Sequence, residues 1–102
     1  MKYQLVLQLY GSSLEDLDKL VELEDRIISV LRGLGTVDGH DMGSGEANIF
    51  ILTDAPQEAF ERIQISGVAN DVMASLRVAY REAAGNSFTL IHPPGLLRFK
   101  IT

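Results

Sequence analysis

Apolar and polar residues alternate at the start of the chain. Between residues 3 and 10, one side of an extended chain would carry Tyr3, Leu5, Leu7 and Leu9, and the other Gln4, Val6, Gln8 and Tyr10. A period of two is typical of a strand with one buried face. Residues 36–42 and 46–53 predict two more strands, joined by a tight turn at Gly43 and Ser44, where glycine at the first central position suits a hairpin.

Apolar positions with a helical spacing predict two helices between these strands. The first should begin at Ser12, which fits a capping box with Glu15, and should end near Arg32. A second capping box, Asp54 with Gln57, predicts a helix that begins directly after it. The apolar stripe of that helix changes phase at residues 66–67, so we expect a break there.

The last third of the chain returns to alternation. Residues 76–81 and 88–92 predict a second strand hairpin, and residues 93–102 a C-terminal extension or edge strand. The order βαββαββ predicts an α+β fold, a two-layer ferredoxin-like sandwich in one domain spanning residues 1–102. Its antiparallel sheet should carry both helices on one face and have the first and third strands as central neighbours.

Composition and charge narrow the function. The net charge of -5 disfavours nucleic acid and anionic membranes as partners, because phosphate contacts need clustered Lys and Arg. Without cysteine there is no disulfide, thiolate nucleophile or Cys-ligated metal. The start lacks the apolar region of a signal peptide, and no apolar run has the length of a membrane span, so we expect a cytoplasmic protein.

Residues 37–54 carry the pattern D-G-H-D-x-G-S-G-E-x-N-I-F. In this pattern the chain resembles a group of small bacterial proteins of about the same length. The resemblance implies a single ferredoxin-like domain. It implies no catalytic residue, because that group has no assigned activity.

The same hairpin gives the candidate ligand site, and its loop length leaves two registers open. A two-residue loop places Asp41 opposite Glu46 and Gly39 opposite Asn48. Two facing carboxylates repel, and a bound cation, an amine or an arginine would relieve that cost. A three-residue loop instead places His40 opposite Asn48. Because neighbouring residues of a strand point to opposite faces, His40 does not easily join Asp41 at a metal ion, and we expect no metal site.

Glu24 stands out within the first helix. Its neighbours three and four residues away are all apolar, so its carboxylate must reach solvent or pair with a cation. The candidate cations are Arg26, Arg62 and an arginine of a partner.

Apolar side chains are also expected on the sheet face away from the helices. Val6, Tyr10, Phe50 and Leu52 should lie there. An apolar patch on central strands usually marks an interface. Two coverings stay open, a second copy in a homodimer or residues 96–101 folded across the face.

These observations favour a non-enzymatic binding or interaction module that uses this sheet face and needs no cofactor. Its partners would be a second copy, a small molecule or a basic protein. One alternative is a small enzyme with Glu46 or Asp41 as general base and Tyr10 or His40 as acid. Another is an acidic, immunity-type inhibitor of a basic toxin. No serine lies in a nucleophile elbow, and the sequence identifies no catalytic residue.

Overall fold

The computed structural model describes residues 1–10, 14–43 and 45–101, with only the backbone of residues 14–16. Its strands are β1 (Tyr3–Tyr10), β2 (Gly35–Gly43), β3 (Glu46–Thr53), β4 (Arg77–Glu82) and β5 (Thr89–His92). Its helices are α1 (Leu14–Val30) and α2 (Pro56–Ser66), with a short 3-10 turn at Met73–Ser75. The predicted cap formed by Ser12 and Glu15 lies outside the described residues.

The strands form one antiparallel sheet in the order β2-β3-β1-β4-β5. The expected α+β class with a five-stranded antiparallel sheet and two helices is therefore confirmed. β1 pairs with β3 along its whole length, as predicted for the first and third strands. Strand β5 adds an edge beside β4, and the second predicted hairpin is present.

The helices pack on one face of the sheet, which we call the inner face. In β1, Leu5, Leu7 and Leu9 belong to the same buried cluster as Ile27 of α1 and Phe60 of α2. Strand alternation places the other residues of β1 on the opposite, outer face. Val6 is fully buried without belonging to the inner cluster, so something other than the helices covers the outer face.

Helix α2 begins and ends for local reasons. It ends at Ser66, where Gly67 adopts a left-handed conformation with φ of 80° and donates its N–H to the Gln64 carbonyl. The expected break at residues 66–67 is confirmed. The capping box at its start was wrong, because Ala55 is the capping residue and no side chain caps it. The Asp54 carboxylate instead accepts the backbone N–H of Lys2 at 2.8 Å.

The hairpin between β2 and β3 has neither of the two registers that the sequence left open. Asp41 pairs with Asn48, and Gly43 pairs with Glu46. The register shifts between Val37 and Gly39, where β2 contains one extra residue. Because Glu46 faces Gly43, Asp41 and Glu46 do not face each other across the ladder.

Residues 93–101 form no strand, so the edge strand, one of the two alternatives predicted for this segment, is wrong. A turn begins this segment, with the Leu96 N–H donating to the Pro93 carbonyl at 3.0 Å. Consecutive prolines lack the N–H groups that a ladder needs, which favours a turn over a strand here. No described helix is long and apolar enough to cross a membrane.

Candidate functional site

Three polar side chains are buried together on the outer face of the sheet. They are Gln8 of β1 and Glu46 and Asn48 of β3, with exposed fractions of 3%, 9% and 0%. Strand alternation brings them to this face, because their chain neighbours point to the other one. Leu7 and Leu9 of β1, and Ala47 and Ile49 of β3, all belong to the inner cluster. The pairing of β1 with β3 sets Gln8 directly opposite Asn48. We call Gln8, Glu46 and Asn48 the polar cluster.

Hydrogen bonds join the polar cluster into one unit. The Gln8 side-chain nitrogen donates to Glu46 Oε2 at 2.9 Å and to Asn48 Oδ1 at 3.1 Å. The Asn48 side-chain nitrogen also donates to Glu46 Oε2, at 3.3 Å. A buried carboxylate is costly unless it accepts such bonds. In the described part of the chain, no buried side-chain nitrogen or oxygen lacks a partner.

The C-terminal segment, residues 96–101, supplies the covering of the outer face. The Gln8 side-chain nitrogen donates to the main-chain carbonyl of Lys100 at 2.9 Å. The rings of Phe88 and Phe99 have centroids 4.9 Å apart and are tilted by 56°. Of the two coverings that the sequence left open, the structure shows the chain's own segment. The outer face is therefore not open in this structure.

The segment is held by few described contacts. Leu97 is 89% exposed, and the side chains of Arg98 and Lys100 are also exposed. Because residues 96–101 form no strand, they add no ladder of main-chain hydrogen bonds to the sheet. Few polar contacts and an exposed leucine are features of a part of the structure that opens at low cost.

Other predicted site residues surround the polar cluster without joining its hydrogen bonds. Tyr10 lies opposite Glu46 but is 55% exposed, and the Arg77 guanidinium carbon lies 4.7 Å from its ring centroid. Phe50 is partly buried on the outer face and faces Gly39. The expected pairing of Gly39 with Asn48 was therefore wrong, because Gly43 pairs with Glu46 next to the turn and the unbroken ladder from there sets Gly39 opposite Phe50.

Asp41 shares the outer face with the polar cluster but stays in solvent. It lies on β2 directly across from Asn48, and its side chain is exposed. The repulsion expected between Asp41 and Glu46 does not arise, because Glu46 faces Gly43 and not Asp41 across the ladder. A cation between two facing carboxylates is not required by this geometry.

His40 lies on the opposite side of the sheet and pairs with Glu24. Its Nδ1 is 3.0 Å from Glu24 Oε2, with the two side chains 31% and 13% exposed respectively. This contact links α1 to β2. Within this chain, the contact of Glu24 is therefore His40 and neither Arg26 nor Arg62, because His40 faces Ile49 on the inner side of the sheet, towards α1.

No described group of three or more His, Asp and Glu side chains has an arrangement that could hold a metal ion. Two cavities, of about 380 and 360 Å³, open elsewhere, and neither is lined by Glu46, Asp41 or His40. In the polar cluster, the Gln8 side-chain nitrogen is held by hydrogen bonds to Glu46 and Asn48. The same nitrogen binds the main-chain carbonyl of Lys100.

Comparison of the chain with family models, curated proteins and solved structures finds no match. The resemblance carried by residues 37–54 stays a prediction.

Two contributors to the site were not among the predicted site residues. The alternation of β1 predicted Gln8 only as a polar residue of the outer face. Its burial and its three hydrogen-bond acceptors show that it joins the polar cluster to the C-terminal segment. The Lys100 carbonyl had no sequence signal, because every residue carries one. The available sequence signal was a glutamine between Leu7 and Leu9 on a strand predicted to be central.

Proposed function

We propose that the protein is a non-enzymatic binding module whose outer sheet face takes an extended, basic peptide segment of a partner protein. The observation that carries this proposal is the hydrogen bond from Gln8 to the Lys100 carbonyl. A side chain that is 3% exposed there donates to a main-chain oxygen, which any extended peptide can offer. The C-terminal segment would then occupy the site as an internal ligand.

The sequence of the C-terminal segment supports a basic partner. Residues 93–102 contain Arg98 and Lys100 and no acidic residue, a charge of +2, while the whole chain has a net charge of -5. Residues 1–92 therefore carry -7, from 7 basic and 14 acidic residues. Opposite net charges speed encounter and disfavour acidic competitors. An aromatic residue of the partner peptide, at the position that Phe99 occupies here, would pack against Phe88.

The fold supports the same proposal. We propose that β1 to β4 with the two helices form a ferredoxin-like arrangement, to which β5 adds an edge strand. The order β2-β3-β1-β4 within the sheet and the placement of both helices on the inner face support it. The helices thus leave the outer face to other occupants. Since neither cavity is lined by Glu46 or Asp41, we do not propose the general-base alternative.

Competition with a synthetic peptide tests the proposal. A labelled peptide with the sequence of residues 93–102 is titrated with the full-length chain, and its fluorescence anisotropy is followed. A tethered segment competes at an effective concentration in the ~mM range. We therefore expect weak binding to the wild-type chain and a Kd about fivefold lower for the Phe99→Ala chain, whose own segment is held less tightly by about 1 kcal/mol.

Two controls make the result specific. A peptide with alanine in place of its phenylalanine should bind more weakly, and so should the wild-type peptide when Gln8→Leu is added to the Phe99→Ala chain. Absence of saturable binding to the Phe99→Ala chain at ~1 mM peptide would contradict the proposal. Light scattering is measured on the same samples. A wild-type dimer that the peptide converts to monomers would make a second copy the occupant and would overturn the choice of a different protein.

A further inference from the structure

A cavity of about 380 Å³ opens on the helix side of the sheet, at the end of β1. Its apolar lining comes from three parts of the fold. Leu9 and Ala47 belong to the sheet, Leu20 and Leu23 to α1, and Val68 and Val72 to the segment after α2. This volume lies within the range of small-molecule sites, which are mostly apolar with a few polar groups.

Charged side chains of both signs line the same cavity. Arg26 and Glu22 come from α1, four residues apart and therefore on one face of the helix. Asp71 comes from the segment after α2. In the described part of the chain, Arg26 and Asp71 form no ion pair or hydrogen bond through their side chains. Both charges are therefore available to a ligand.

The segment that carries Asp71 lies over the cavity for a structural reason. Gly67 ends α2, and residues 68–72 continue as turns, with the Val72 N–H donating to the Ala69 carbonyl at 3.1 Å. Ala69 is buried in the core, which fixes this segment against the sheet. Val68 and Val72 lie on either side of it and point an apolar lining into the cavity.

We infer that this cavity binds a small zwitterion with an apolar body, of which an apolar amino acid is the simplest example. The leucine and valine side chains would hold the apolar body, Arg26 the carboxylate and Asp71 the ammonium group. A guanidinium suits a carboxylate because it can donate two parallel hydrogen bonds. An apolar lining alone would favour an apolar ligand, and one sign of charge alone would favour an ion.

This cavity does not include the polar cluster, although Tyr10, opposite Glu46, also lines it. Strand alternation places Leu9 and Ala47 in the cavity, while Gln8, Glu46 and Asn48 lie on the other side of the same strand ends. The inference therefore does not rest on the proposed peptide site, and either one can fail alone.

Titration of the full-length chain with defined probes, followed by two-dimensional amide NMR, tests the inference. The probes are L-leucine, isocaproate, which lacks the amine, and isoamylamine, which lacks the carboxylate. We expect L-leucine to shift the amides of Leu9, Leu23 and Val72 with saturation, and to leave that of Lys100 in place. Each single-charge analogue should bind about tenfold more weakly than L-leucine.

Charge-neutralising variants show whether the named residues hold the probe. Arg26→Gln should weaken L-leucine and isocaproate about tenfold and leave isoamylamine unchanged. Asp71→Asn should weaken L-leucine and isoamylamine and leave isocaproate unchanged. Arg32→Gln, an exposed arginine outside the cavity, is the matched control and should change none of them. No saturable shift with any probe at ~10 mM, or equal binding by all variants, would overturn the inference.

Discussion

The Gln8 side-chain nitrogen lies 2.9 Å from the main-chain oxygen of Lys100, and 92 positions in the sequence separate the two residues. The same nitrogen donates to Glu46 and Asn48 on β3. A primary amide has two N–H groups, so the three acceptors must share them. One buried side chain on the central strand therefore joins β3 and the C-terminal segment, and it makes the covering of the outer face depend on the polar cluster.

Replacing Gln8 tests how much the polar cluster stabilises the fold. Gln8→Leu keeps the size of the side chain and removes the donor, which leaves the Glu46 carboxylate and the Lys100 carbonyl without it. We expect the free energy of unfolding to fall by about 1–3 kcal/mol in urea denaturation. Gln64→Leu, at an exposed position of α2, should change it by less than ~0.5 kcal/mol. Equal stability of the two variants would show that the donor is dispensable.

Two positions of the C-terminal segment should respond differently to truncation. Phe99→Ala removes the ring that packs on Phe88, and we expect a loss of about 1 kcal/mol, with faster hydrogen exchange across residues 96–101. Leu97→Ala removes a side chain that is 89% exposed and should change neither quantity. The same response in both variants would mean that the segment is not held through Phe99.

The contact between Glu24 and His40 should contribute modestly, because both side chains keep some contact with water. A double-mutant cycle with Glu24→Gln and His40→Gln isolates their coupling from other effects. We expect a coupling free energy of about 0.5 kcal/mol, measured by urea denaturation at low ionic strength. Additivity of the two changes within ~0.3 kcal/mol would show that the pair does not link α1 to β2 in solution.

Two glycines of β2 separate backbone strain from steric fit. An added Cβ would meet no heavy atom within 4 Å at Gly39 or at Gly43, but Gly39 has a φ of 129°. Residues other than glycine strongly disfavour this conformation, because they carry a Cβ atom. Gly39→Ala should therefore lower the free energy of unfolding by about 1–3 kcal/mol.

Gly43→Ala is the matched control on the same strand, because its φ lies outside the left-handed region. It should change the free energy of unfolding by less than ~0.5 kcal/mol. A neutral Gly39→Ala variant would show that the extra residue of β2 relaxes without cost. A costly Gly43→Ala variant would show that steric fit, and not φ alone, decides this strand.

Alternation was sufficient to predict the strands, and the helical spacing predicted both helices. The register of β2 against β3 could not be predicted, because glycines stand at both Gly43 and Gly45 and the sequence does not show which residue of β2 pairs with Glu46 next to the turn. The extra residue between Val37 and Gly39 had no strong sequence signal either, because the residue involved is an ordinary aspartate. The contact of Glu24 with His40 was missed because the sequence does not show which residues of α1 and β2 meet.

The sequence did not show which part of the protein covers the outer face. Apolar side chains of β1 and β3 predicted that something must cover that face. Their pattern is the same whether a second copy or residues 96–101 cover it, so the pattern does not distinguish the two. Choosing between them depends on where the chain goes after Pro93 and Pro94, which is decided by contacts between residues far apart in sequence. Gln8 and Lys100 form such a contact.

The C-terminal segment lies on the outer face through Gln8 and Phe99. Nuclear Overhauser contacts in the full-length, unmodified chain test this placement. We expect contacts between the ring protons of Phe88 and Phe99, and between the side-chain amide of Gln8 and the backbone at Lys100. Random-coil chemical shifts for residues 96–101, with no contact to β1 or Phe88, would contradict it and would leave the outer face open.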